Sequence, residues 1–191
     1  MIDAAARDCR RWSTCVTAYR LTTSFPYLVN RVGVRIGEMF SRRLAPYNLT
    51  LPMYRVLAAL WEAQNQRLRD LGDMTTIEVT TLSRLVGSLH QRGLVSRTRV
   101  AGNERTVSIN LTARGRALAE ILIPLATHFE NVAIHSFGSE DIRRLKDALR
   151  TVYEHLNELE AEVHPAADSR RRSSKRRAPR RKHRKGSSLA P

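Results

Sequence analysis

Cysteine is scarce in this sequence: it occurs at Cys9 and Cys15 and nowhere else. Two thiols build no disulfide framework, and a reducing compartment suits them. No histidine stands at ligand spacing from this pair and the six histidines are scattered, so no metal is expected. There is no continuous apolar run approaching about 18 residues, so no membrane span is expected. The opening "MIDAAARDCRRWSTCVTAYR" lacks the apolar stretch of a secretory signal, and Asp3 and Asp8 argue against a transit peptide. The reading is a cytoplasmic protein. No nucleophile elbow, phosphate-cradling glycine loop, carboxylate pair or metal spacing occurs, so neither an enzyme nor a cofactor is expected. Acidic residues are missing altogether from Ser169 to Pro191. That stretch holds eleven of the 33 Lys and Arg, leaving 22 against 18 Asp and Glu in the first 168 residues. Most of the +15 net charge therefore belongs to the tail, and a basic excess of this kind points to a polyanionic partner.

What is present is mostly helical periodicity. Residues 1–22 show none and read as a loose or partly helical arm. Phe25, Leu28, Val32, Ile36, Met39 and Phe40 step by three or four, which predicts a helix from Phe25 to about Leu44. Gly33 and Gly37 within it suggest close approach of a neighbouring helix, from a second subunit or otherwise. After "APYNL", Thr50 can cap a helix that tolerates Pro52 in its first turn and carries Met53, Val56, Leu57, Leu60 and Trp61 on one face to about Ala63. "RLRDLGDM" reads as a short helix. Thr75 and Glu78 have capping-box spacing for a third long helix, with Leu82, Leu85, Val86 and Leu89 as its buried stripe and Gly93 as its stop. "LVSRTRV" and "RTVSINL" alternate as paired strands around "AGNE". Thr112 can cap a helix to about Phe137, in which Pro124 should place a kink or break. Ser139, followed by Glu140 and Asp141, opens a last helix faced by Ile142, Leu145, Leu149, Val152, Leu156 and Leu159. The basic tail, residues 164–191, is read as disordered.

A short helix, a turn, a longer helix and a hairpin form a winged helix-turn-helix. The major groove admits one helix, whose outward polar side chains read base edges. Opposite Leu82 stand Thr80, Arg84, Gly87, Ser88 and Gln91, flanked by Thr81 and Ser83. The hairpin brings Arg97, Arg99 and Arg105 to where a neighbouring minor groove and its phosphates would lie. An ordinary solvated face is the alternative for the hydroxyl residues, and Glu78 is read as a cap in preference to a base contact. The fold class is thus mostly α with a small β-hairpin wing: a winged lobe at about 50–112 within a domain spanning 23–163, with further helices at about 25–46 and 113–160.

From about Phe25 to Leu159 the sequence resembles the MarR family of bacterial transcription regulators. "LTLPMYRVLAALWE" looks like the family's second helix, "VTTLSRLVGSLHQRGLVSR" like its recognition helix and the start of its wing, and "GNERTVSINLTARGRAL" like the return strand and the helix after it. The resemblance implies an obligate homodimer, built from the helices at 25–46 and 113–160, that sets two lobes on double-stranded DNA. It also implies a wing formed by Gly102, Asn103 and Arg105, with Arg105 in the minor groove. The family usually has Asp where this chain has Asn103, which removes a charge from the wing. Many relatives release DNA when a small aromatic acid enters the crevice beside the lobe; Tyr27, Arg31, Tyr54 and His90 are the polar or aromatic groups near that crevice here. Others sense oxidants through a first-helix cysteine, but that position falls near Pro26, so a thiol switch by that route is not expected. Two functions stay open. One is a sequence-specific, dimeric regulator, a repressor relieved by a small aromatic or phenolic effector. The other is an architectural protein that coats DNA nonspecifically through its basic tail.

Overall fold

Pro26, whose missing N–H costs nothing in a first turn, opens α1 (Phe25–Leu44) immediately after a 3-10 turn at Leu21–Thr23. In the computed structural model, residues 19–100 and 103–163 are described, apart from the side chains of residues 100–106 and 161. Nearly all of the N-terminal arm, Cys9, Cys15 and the basic tail therefore lie outside the described residues, as does Gly102. The helices that follow are α2 (Leu51–Glu62), α3 (Leu68–Thr75) and α4 (Val79–Gln91); then come β1 (Val95–Val100), β2 (Asn103–Leu111), α5 (Ala113–Ile134) and α6 (Ser139–Val163). The chain falls into two compact units, residues 1–133 and 134–191.

In the first unit the periodic residues become one core. Leu44, Val56, Leu57, Leu60, Leu71, Leu82, Val86 and Leu89 are fully buried together with Val95, Ile109 and Leu122. Thr50 caps α2 as its sequence suggests, Oγ1 accepting from Met53 N–H at 3.4 Å. Trp61, placed by periodicity on the apolar stripe, instead lies at the rim, where the Arg116 guanidinium sits 5.7 Å from its ring centroid. Gly37 does meet a helix closely, but within this chain: a Cβ there would stand 3.1 Å from Leu51 Cδ2, whereas Gly33 faces nothing within 4 Å.

Two expectations are corrected at the helix ends. Thr75 is not a cap; it closes α3, buried, and its hydroxyl donates to Leu71 O at 2.6 Å. Thr76 adopts a left-handed φ of 54°, which separates α3 from α4, and Glu78 is itself the N-cap of α4. Nor does Pro124 break α5, which runs on to Ile134. Pro124 and Glu120, whose carbonyl loses its donor, are both exposed, so water can satisfy that carbonyl. By length and composition α5 is also long and apolar enough to cross a membrane. However, Gly115, Ala119 and Leu122 bury its inner face in the lobe, and Glu120 lies within it.

Large apolar faces are left over. On α1, Phe25, Leu28, Val32, Ile36 and Met39 are exposed and only Phe40 and Leu44 are buried. In the second unit none of the described side chains of α6 is buried, and Leu145, Leu149, Tyr153, Leu156 and Leu159 form an exposed stripe.

Candidate nucleic-acid interface

Helix α4 is held at both ends and along its inner face. Leu82, Val86 and Leu89 anchor it, leaving Thr80, Thr81, Ser83 and Arg84 exposed and Ser88 half-buried on the outer side. At its start, Glu78 Oε2 accepts from the backbone N–H of Thr80 at 3.0 Å and of Thr81 at 3.1 Å, and from the Thr80 hydroxyl. These three donors, the hydroxyl foremost, hold the Glu78 carboxyl below its usual range. At its end, Gly93 takes a left-handed φ of 66°, as a helix stop should.

Arg92 adds a tie that periodicity does not reveal. Its guanidinium donates through Nη1 to Asn48 O and through Nη2 to Tyr47 O, both at 2.8 Å, fastening the end of α4 to the turn between α1 and α2. Replacing Arg92 with Ala leaves both carbonyls without this charged donor. The expected loss in urea unfolding is about 2 kcal/mol, while a Lys, which cannot fork, recovers only part of it. An unchanged midpoint for both variants would show the fork to be incidental.

The hairpin springs directly from this helix. β1 and β2 pair antiparallel, with Val95 opposite Leu111, Arg97 opposite Ile109 and Arg99 opposite Val107; a bulge falls between Arg99 and Val100. Its base is locked to the loop before α3. Gln66 and Ile109 exchange backbone hydrogen bonds at 3.2 and 2.8 Å, Asn110 Oδ1 accepts from Asn65 N–H at 2.7 Å, and Gln64 Oε1 accepts from Leu111 N–H at 3.2 Å. The polar break "QNQ" thus serves as a third rail for the ribbon. Beyond the core, Arg97 and Arg99 project into solvent. Asn103 and Arg105 lie on β2, their side chains outside the described residues.

Electrostatically the outer surface is open to an anion. Among the described residues, ion pairs engage Arg35 with Glu38, and Arg143, Arg144 and Arg150 with Glu140 or Asp147, but none engages Arg84, Arg97 or Arg99. The arrangement offers a helix with small hydroxyl groups and one arginine, next to a ribbon with two more, at a spacing set by Arg92 and the Gln64–Gln66 loop. Nothing in it resembles a hydrolytic or redox centre.

The four crevice residues have these surroundings. Tyr54 packs edge-on against Phe40 at 4.6 Å, and burial raises its hydroxyl pKa. His90 Nδ1 lies 3.0 Å from Val95 O, Tyr27 is half-buried and Arg31 is exposed. A cleft of about 790 Å³ does open between α1 and α2, but its walls are Asn30, Gly33, Val34, Gly37, Glu38, Ser41, Arg42, Leu51 and Arg55. Sequence reading passed over Arg42 and Arg55, since an arginine beside an apolar face looks like ordinary solvation.

Comparison with known proteins agrees with this geometry. The family described as "Transcriptional regulator SarA/Rot" matches residues 38–122. An organic hydroperoxide resistance transcriptional regulator from Bacillus subtilis is 27% identical over 139 residues, covering 73% of this chain and 93% of that protein. The HTH-type transcriptional regulator TtmR of Methylorubrum extorquens is 32% identical over 149 residues, covering 78% and 72%. Among solved structures, a MarR family transcriptional regulator from Silicibacter pomeroyi superposes with a TM-score of 0.66 at 24% identity, covering 73% of this chain and 94% of that one. CouR from Rhodococcus jostii, bound to p-coumaroyl-CoA, superposes with a TM-score of 0.65 at 23% identity, covering 71% and 95%.

Proposed function

Because the chain belongs to the MarR family of winged helix-turn-helix transcription regulators, we propose that it is a homodimeric repressor that reads a pseudo-palindromic DNA site in the bacterial cytoplasm. The observation that carries this reading is the outer face of α4, with Thr80, Thr81, Ser83, Arg84 and Ser88 turned away from a core that holds the helix rigidly. In this reading α4 lies in the major groove, Arg84 reaches a guanine edge or a phosphate, and Arg97, Arg99 and Arg105 straddle the adjacent backbone and minor groove. The exposed faces of α1 and α6 supply the dimer contact, since periodic apolar stripes of this length need a partner. DNA release by a small aromatic or phenolic acid belongs to the same proposal. It is supported by the relative that binds p-coumaroyl-CoA and by the α1–α2 cleft, where Arg42 and Arg55 suit a carboxylate.

The basic tail favours the second reading, nonspecific coating, because its eleven cations release counterions from any duplex. A salt titration separates the two. Full-length protein and a form ending at Ala167 are measured on the gene's own upstream DNA and on random duplex. A regulator keeps a preference of roughly 10³-fold or more in both forms, with a shallower salt slope after truncation. Arg84→Ala then weakens upstream binding by about tenfold or more, in line with one good base or phosphate contact in each half-site. Loss of all affinity on truncation, with no preference beforehand, would establish the coating reading instead.

A further inference from the structure

The cap of α4 does more than end-satisfaction, because one of its three donors is a side chain on the outer face. Glu78 is exposed and ionised at neutral pH, so its oxygens can only accept. The hydrogen bond between the Thr80 hydroxyl and Glu78 Oε2 therefore has one possible polarity: the threonine proton points at the carboxylate. Thr80 Oγ1 then has lone pairs left and no proton to offer. Thr80 is the second residue of α4, in the first turn, which in a helix-turn-helix faces base edges. Thr81 also serves Glu78, chiefly through its backbone N–H.

We infer that Glu78 sets part of the sequence preference of this helix by taking the Thr80 proton, leaving Thr80 Oγ1 as an acceptor that selects an exocyclic amino group, adenine N6 or cytosine N4, in the major groove. The inference rests on the reading of α4 as the helix that enters the groove. It follows from the groove chemistry: adenine and cytosine present a donor there, guanine presents only N7 and O6, and thymine presents O4 and a methyl group. An acceptor-only hydroxyl gains a hydrogen bond from the first two and meets a lone pair on the others. It is equally unsuited to a phosphate oxygen, so Thr80 is a reader of bases and takes no part in anchoring the backbone. Glu78 is a positioning residue in this scheme. It need not touch DNA, and its charge near the helix start also disfavours a phosphate there.

Selection of the full-length protein against a random duplex pool, followed by affinities for all four bases at each selected position, tests this for the wild type, Thr80→Val and Glu78→Ser. The wild type should show a position where adenine or cytosine is preferred. Thr80→Val, which keeps the shape and leaves the cap in place, should lose that preference by about three- to tenfold there and nowhere else. Glu78→Ser keeps a cap through its own hydroxyl but no longer fixes the proton, and should accept guanine or thymine at the same position. Three results overturn the inference: Thr80→Val retains every preference; the lost preference is for thymine, which would mean a methyl contact; or either variant weakens binding equally at all four bases, as mere loss of helix order would. If the wild type selects no sequence at all, the groove-reading role of α4 itself fails, and that outcome is distinct from the other three. Should Glu78→Ser not fold, Thr80→Val decides alone.

Discussion

Gly115→Ala is expected to destabilise the protein by about 3 kcal/mol or more, near the upper end for overpacking a core, because the added carbon has nowhere to go. A Cβ on Gly115 would lie 1.9 Å from Leu94 O, 2.9 Å from Leu94 C and 3.3 Å from Leu111 Cδ2. The obstacle is backbone, and that backbone is pinned. Leu94 is buried, its carbonyl accepts from Thr112 N–H at 3.1 Å, and the Thr112 hydroxyl donates to the adjacent Gly93 O at 2.7 Å. Thr112 Oγ1 in turn accepts from Gly115 N–H at 3.0 Å, capping α5. The first turn of α5 thus lies directly on the turn that leads into β1, and glycine is needed there for space and not for a special φ. Urea unfolding measures the loss, with Gly87→Ala as the control. Gly87 has nothing within 4 Å of a Cβ, so alanine there should stabilise α4 by roughly 0.5–1 kcal/mol. Comparable midpoints for Gly115→Ala and wild type would mean that α5 can slide away from Leu94 at little cost.

Placing glutamates at Leu149 and Leu156 together is expected to convert the proposed dimer into monomers and lower affinity for a two-site DNA by about 10²–10⁴-fold, the range lost when two linked binding modules become separate. Leu149 is 40% exposed and Leu156 59% exposed, on a helix of 25 residues with no buried side chain among the described ones. An isolated helix draws little stability from its own surface. The pairs Arg143–Glu140 and Arg150–Asp147 are exposed, so solvent screens them and they add little. Most of the persistence of such a helix has to come from burying its apolar face. Neither position lies within the winged lobe, so single-site binding to a half-length duplex should be retained. Sedimentation equilibrium and affinity on full and half sites check this together. A variant that stays dimeric would move the contact away from α6, and α1, with Phe25, Leu28 and Val32 exposed, would be the next surface to probe in the same way.

These two cases differ in how far the amino-acid order alone leads. The α6 stripe is visible at once, as leucines and isoleucine three and four apart, and the same holds for α1, whose bounds Phe25–Leu44 match its periodicity. Gly115 is visible only as one of nine glycines, because nothing local marks it: its φ is helical and its conflict is with a carbonyl 21 residues earlier. The candidate interface divides in the same way. The outer residues of α4 follow from the position of Leu82, Val86 and Leu89 on the opposite side. The direction of the Thr80 proton depends on where Glu78 begins the helix, and the spacing of Thr75 and Glu78 suggested a different partner for it.

By itself, then, the order of residues determined the number and kind of the elements, their stops at Gly93 and around Asn48, the antiparallel hairpin, and the concentration of charge in the tail. These depend on periods of two and 3.6 residues and on the preferences of single caps, which act over a few bonds. Tertiary structure alone decided which glycine has no room, that Arg92 reaches back 44 residues to Asn48, that the Gln64–Gln66 loop pairs with β2, and that Trp61 sits at the rim beside Arg116. It also decided that α5 continues through Pro124. Each of those outcomes is a contest between distant groups for the same space or the same hydrogen bond, and a contest of that kind is settled by packing, where sequence distance has no meaning.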